Sequence, residues 1–180
     1  MGTKQLFTLV FGLLFMLTIF QASAQFSVGA ELGLPIGNFS DVANAGFGVS
    51  AKYEASIKDQ LNWTGSVGYL SFGGKAFLGG TFGNVSVIPL LGGIKYYFNT
   101  AGSGFYASGD LGLNFISYSV AFPNSGNGQG VNFASASTTR FGITPGVGYR
   151  IDNWDFSGRF NLISDFNYLG IRVAYVFSGN

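Results

Sequence analysis

The chain of 180 residues contains no cysteine and no histidine. Without cysteine there are no disulfides, no thiolate nucleophile and no sulfur metal ligand. Without histidine, the Ser–His, Asp–His and Cys–His constellations cannot be built, because each needs a base that titrates near neutrality. The same two absences remove the usual zinc ligands, and no acidic loop run suggests calcium. Charge is scarce as well: Asp, Glu, Lys and Arg make up 9% of the chain, against about 25% in ordinary soluble domains. Carboxylate-only chemistry at Glu31, Glu54, Asp110 and Asp155 is what remains of catalysis. Pairing of these acids with cations is the stronger reading, since a buried charge left alone is costly. The expectation is a protein that is not an enzyme and holds no metal or cofactor. The stretch "GYLSFGGKAF" (68–77) has the wrong glycine–lysine spacing for a phosphate loop, and the sequons at Asn38, Asn62 and Asn84 read as chance.

The front of the chain has a separate character. Lys4 precedes the apolar run "LFTLVFGLLFMLTIF" (6–20) and the small-x-small site in "QASAQ" (21–25). That three-part layout is a secretory signal peptide, cleaved between Ala24 and Gln25. Its apolar run is shorter than the roughly 20 residues a spanning helix needs. The domain organisation expected is therefore a signal peptide over 1–24 and one domain over 25–180. Removing Lys4 leaves eight basic and eight acidic residues. The resulting zero net charge gives no attraction to nucleic acid.

Beyond residue 25 no apolar run could cross a bilayer as a helix. Instead, alternation of period two recurs near 26–34, 47–57, 61–72, 84–98, 105–118, 137–151, 154–163 and 168–177, which reads as eight strands. One phase of each strand is apolar and aromatic, as in Leu169, Ile171, Val173, Tyr175 and Phe177. The opposite phase holds Glu31, Lys52, Glu54, Lys95, Asp110, Arg140, Arg150, Asp155, Arg159 and Arg172, ten of the sixteen charges that follow residue 24. A soluble barrel carries its charge outside, whereas a transmembrane barrel turns the apolar phase to lipid and the polar phase to a narrow lumen. The continuous aromatic face selects the second arrangement. Closure follows, because an open sheet edge in hydrocarbon leaves backbone groups unpaired at several kcal/mol each.

The connections alternate in length. "KDQ" (58–60), "NTAGSG" (99–104) and "DN" (152–153) are short. Between them fall "PIGNFSDVANAG" (35–46), "GGKAFLGGTFG" (73–83) and "SVAFPNSGNGQGVNFASA" (119–136), with the shorter "SDFN" (164–167) as a fourth. Short turns belong on the periplasmic side of such barrels. Trp63, Tyr96, Phe98, Phe105, Tyr149, Trp154, Tyr175 and Phe177 bracket the short turns in the apolar phase, and form an expected aromatic girdle at that interface. Pro89 and Pro145 fall inside strands, where each removes a ladder donor, so bulges or positions above the bilayer are expected for them. The fold expected is all-β: a closed antiparallel up-and-down transmembrane barrel of eight strands.

The segments "VIPLLGGIKYYF" (87–98), "GVGYRI" (146–151) and "YLGIRVAYVF" (168–177), behind a signal peptide, resemble the small eight-stranded outer-membrane β-barrel family. That family is similar to the barrel domains of outer membrane proteins A and X. The resemblance implies insertion in the cell outer membrane. It also implies folding by the barrel assembly machinery, which takes a last strand ending in an aromatic residue such as Phe177. Partners then expected are outer-membrane lipid, that machinery, and a surface partner at loop 119–136, which carries Phe122 and Phe133. The chain is expected to be a monomer with a structural or interaction role. The alternatives are a narrow pore, with a slight anion preference from its six basic against four acidic lumen residues, and a binder of a small apolar or lipid ligand.

Overall fold

The computed structural model describes residues 24–77, 80–99, 102–123 and 131–178. The signal peptide expected over residues 1–24 lies, but for Ala24, outside the described residues. The elements run β1 (Gln25–Pro35), α1 (Asn38–Val42), β2 (Ala43–Lys58), β3 (Leu61–Gly74), β4 (Ala76–Phe77), β5 (Gly80–Tyr97), β6 (Gly104–Pro123), β7 (Val131–Ile151), β8 (Trp154–Ile163) and β9 (Tyr168–Ser178). All ladders are antiparallel, and consecutive long strands are neighbours. Two further pairings close the circle: β1 with β9, and β3 with β5. The two-residue β4 only folds back on the start of β5. The result is a closed up-and-down barrel of eight strands.

Alternation fixes which way each side chain points. Phe47, Val49, Leu90, Ile94, Leu111, Phe141, Phe160 and Val173 are all exposed on the outer wall, while Glu31, Lys52, Lys95, Asp110 and Arg172 are buried within it. No charged residue occupies the outward phase among the described strands. In water such a wall would be an aggregation surface; in lipid it is the solvent-matched one.

The barrel is lopsided. Strands β1, β8 and β9 have 10 or 11 residues, about the length that crosses a bilayer at a tilt, whereas β5, β6 and β7 have 18, 20 and 21. The excess rises on the long-loop side. There the ladder between β6 and β7 continues unbroken to Pro123↔Val131, so residues 119–123 and 131–136 are strand rather than the loop their composition suggested. Gly, Asn and Ser set up that expectation, but cross-strand hydrogen bonding overrode it. The side chains of Phe122 and Phe133 and residues 124–130 lie outside what is described.

The prolines correct the sequence reading on one point, the bulge. Pro89 faces Asn114 and Pro145 faces Gly109 in continuous register, with no bulge at either. The cost appears only on the other flank. Pairing of β3 with β5 is interrupted between Val67↔Leu90 and Leu70↔Val87, and pairing of β7 with β8 between Ile143↔Leu162 and Gly146↔Arg159, without a slip of register. Each proline therefore loses bonds to one neighbour while the other ladder holds it in line.

Candidate functional site

The inward phase divides into two storeys. The lower one, toward the short turns, is charged. Lys95 Nζ lies 2.9 Å from Glu54 Oε2 and 2.7 Å from Asp155 Oδ2. It also donates to Tyr97 Oη at 3.1 Å and stands 3.9 Å from the centre of the Tyr106 ring. Tyr97 and Tyr106 in turn donate to Glu54 and Asp155, at 2.9 and 2.7 Å. Asn62 supplies a further donor to Glu54 at 2.6 Å. Higher up, Lys52 pairs with Asp110 at 3.4 Å, and Thr64 donates to the same carboxylate at 2.6 Å. Glu31 accepts from Arg159 and has Arg172 Nε at 3.7 Å. Arg172 also donates to Ser50 at 2.9 Å and Ser27 at 3.0 Å. Several of these pairs join strands that are not neighbours, Lys52 of β2 with Asp110 of β6 and Lys95 of β5 with Asp155 of β8, so they cross the lumen and fill it. Glu31, Glu54, Lys95, Asp110, Asp155 and Arg172 each have more than one partner, which helps a buried pair to be tolerated, while Lys52 and Arg159 each rest on one carboxylate.

The last two of the ten charged candidates lie toward the two ends of the lumen. Arg150 is buried near the short-turn end, donating to the side chain of Gln25 and, at 3.3 Å, to the Asp152 carbonyl. Arg140 keeps the inward phase but is exposed, because β8 ends opposite Gly142 and nothing described closes the wall beside it. It does not join the network. Among the described residues no cluster of acidic groups could hold a metal ion.

The upper storey was not foreseen. Leu70, Phe72, Val85, Val87, Ile116, Ile163 and Tyr168 point inward and pack as one apolar cluster. α1 closes it from above. Phe39, in the first loop, meets Phe72 edge-on at 5.0 Å and Phe166 at 5.5 Å, and Phe72 meets Tyr168 at 5.2 Å. Gly33 and Gly46 make room for the Phe72 ring: a Cβ on either would sit 2.7 or 2.5 Å from a ring carbon. Lys75 straps the helix down, its backbone N–H donating to the Val42 carbonyl at 3.0 Å and its Nζ to the Ser40 carbonyl at 2.6 Å. Between the storeys the amide of Asn114, Nδ2 of Asn161 and Nε of Arg159 are buried with no hydrogen-bond partner. A signal for the upper storey exists in the sequence: "LSF" (70–72), "VSV" (85–87) and "ISY" (116–118) reverse the phase rule, with apolar residues inward and serine outward.

The girdle residues Tyr96, Phe98, Phe105, Tyr149, Trp154, Tyr175 and Phe177 are exposed on the outer wall beside the short turns, with Trp63 half-buried. Their rings touch in pairs, Phe105 with Tyr149 at 4.7 Å and Trp154 with Tyr175 at 5.6 Å. Sequence reasoning missed two members. Phe26 stacks on Phe177 at 6.3 Å and Tyr53 lies 5.2 Å from Trp63, so the ring also passes through β1 and β2.

A closed barrel with an apolar outer wall and a filled polar lumen defines the class: a small transmembrane β-barrel of the outer-membrane type. Solved structures bear this out at the level of fold. The crystal structure of Ail, the attachment invasion locus protein of Yersinia pestis, superposes with a TM-score of 0.61 at 15% identity, covering 86% of this chain and 98% of that one. The structure of Ail in a phospholipid bilayer nanodisc gives 0.50 at 15% identity, covering 87% and 100%. No protein-family model and no curated protein matches the chain.

Proposed function

We propose that this chain is an outer-membrane protein that works as an anchored interaction module rather than as a conduit. The lumen argues against passage, because a charged network and an apolar cluster stand in series across it. The observation that carries the interaction role is the open edge of β7. Among the described residues, 131–141 pair with β6 alone, and the first pair with β8 is Gly142↔Ile163. An exposed row of backbone donors and acceptors is what an extended partner segment recognises, by adding a strand. The edge is held rigidly by an unbroken ladder and rises on the long-loop side, where a surface partner would meet it. The barrel itself is read as a monomer, delivered by a cleaved signal peptide and taken into the membrane through β9, whose last aromatic residue, Phe177, faces outward.

A photo-crosslinking residue at Thr139, on the open edge, tests this in whole cells. Adducts to another protein at Thr139 and none at Leu162, which faces lipid, are the expected result. Equal labelling at both positions, or none at Thr139, removes the edge from consideration. Intact mass of protein from the outer-membrane fraction checks delivery, and a chain that retained residues 1–24 would sink the signal-peptide reading.

A further inference from the structure

Where the two storeys meet, buried polar atoms lack partners. Both amide atoms of Asn114, Nδ2 of Asn161 and Nε of Arg159 make no hydrogen bond among the described residues, although these side chains belong to residues only 1, 2 and 5% exposed. Protein interiors leave few such groups, and each is costly when nothing answers it. The orphans lie in one layer of the lumen. Arg159 and Asn161 are successive inward residues of β8. Asn161 accepts from Thr144 Oγ1 at 3.2 Å through Oδ1, so its Nδ2 is the free end, standing 3.0 Å from where a Cβ of Gly170 would lie. Asn114 of β6 leans over Gly142, the inward residue of β7 next to Thr144. Its Nδ2 is 2.7 Å from the Cβ position of Gly142, and Ile163 Cγ1 is 2.9 Å from the same point.

The layer rests on an excess of positive charge. Beneath it Lys52, Arg159 and Arg172 share two carboxylates, Asp110 and Glu31, and Arg172 reaches Asp155 of the cluster below only at 4.0 Å. Among the described residues the buried lumen charges are five cations and four carboxylates. Glu31 is engaged by its two arginines and Asp110 by Lys52 and Thr64. Above, Ile116, Ile163 and Tyr168 seal the layer with apolar surface. Three of the four orphan atoms are nitrogens that donate. A water would accept from them but bring no charge, whereas an anion accepts from several N–H groups and offsets the excess as well. Packing this close suits a monatomic ion better than an oxyanion, which has further oxygens to seat. We propose that Asn114, Asn161 and Arg159 hold a halide ion, such as chloride, as a buried counter-ion between the storeys, with one water beside it on Asn114 Oδ1. The site is independent of strand addition at the β7 edge.

The test crystallises the full-length mature barrel from sodium bromide and records diffraction at the bromine absorption edge. An anomalous peak within hydrogen-bond distance of Asn114 Nδ2, Asn161 Nδ2 and Arg159 Nε is the expected result. Oxygen-sized density there without anomalous signal overturns the proposal and makes the layer one of ordered water alone. In solution, the urea midpoint at fixed ionic strength is expected to be higher in chloride or bromide than in gluconate, which is too large to enter. N161L and N114L are each expected to weaken halide binding about tenfold, the loss of one hydrogen bond to an ion. A halide dependence that both variants keep in full overturns the site. A bromide peak with no halide effect on the wild-type midpoint marks an adventitious ion only, and overturns it too. Should neither variant fold, the wild-type peak and midpoints decide.

Discussion

The lower and upper storeys of this barrel are built on opposite rules, although the same strands run through both. Below, lipid lies outside and the inward phase is Glu, Lys, Arg, Asp and Tyr. Above, the inward phase is Leu70, Phe72, Val85, Val87 and Ile116, and the outward phase turns to serine. The upper storey is organised like a water-soluble barrel resting on a membrane one. The comparison teaches that a strand's phase carries no fixed meaning: which phase is apolar depends on the solvent at that height. It also assigns different forces to the two halves. The lower lumen is held by complementary charge, the upper by excluded volume.

Reversing a charge in the lower storey is the sharpest way to break that comparison. Arg159→Glu would set a second carboxylate beside Glu31, and removing one partner of a buried pair costs about 3–5 kcal/mol. Urea unfolding in lipid vesicles should show a large drop in midpoint, and an unchanged midpoint would mean that the network holds nothing together. In the upper storey, Phe72→Ala should cost about 3 kcal/mol through the cavity it opens among Phe39, Tyr168 and the glycines that cradle it. That loss should not vary with salt; a salt-sensitive loss would show the storeys to be electrostatically coupled.

The outer wall provides the next contrast. Val173→Arg places a charge in lipid at about 2–4 kcal/mol, whereas Arg172→Lys keeps its charge inside and should be mild. A bilayer-soluble quencher should reach a probe at 173 and miss one at 172; the reverse outcome would invert the strand phase. The smallest effect is expected in planar-bilayer recording. Phe39→Ala loosens the upper closure, yet steady conductance should stay absent because the Lys95 cluster still blocks the way below. Channel steps from that variant would show the lower storey to be leaky.

How far these features were legible depends on what each strand had to satisfy. Alternation over residues 168–177 could be read because two solvents act on it at once, and a slip of one residue would put Arg172 in lipid. The lumen acids and bases were legible for the same reason, apart from the isolation of Arg140, which depends on where β8 stops rather than on any property of β7. Tyr97 and Tyr106 escaped notice because an inward tyrosine looks like any other strand aromatic until a lysine is found against its ring. The upper cluster was missed because the inward phase was judged by its charges alone, while Phe72 and Val87 sat in that same phase unread. The tall hairpin was hidden by composition: Ser, Asn and Gly suit a loop, and nothing local announces that β6 and β7 keep their ladder to Pro123↔Val131.

The seam between β1 and β9 has a consequence for how the barrel comes into being. Glu31 belongs to the first strand, and its two cations, Arg159 and Arg172, belong to the last two. The pairing Gln25↔Ser178 through Pro35↔Tyr168 likewise joins the first strand of the barrel to the last. These are contacts of very large sequence separation, which are expected to form late because the intervening chain must be ordered before they reward it. An arrested intermediate that has ordered β1 to β7 would hold Glu31 without a counter-ion beside an unpaired edge. Completion of the final hairpin therefore neutralises a buried charge and removes that edge in one step, which makes the last stage of assembly cooperative.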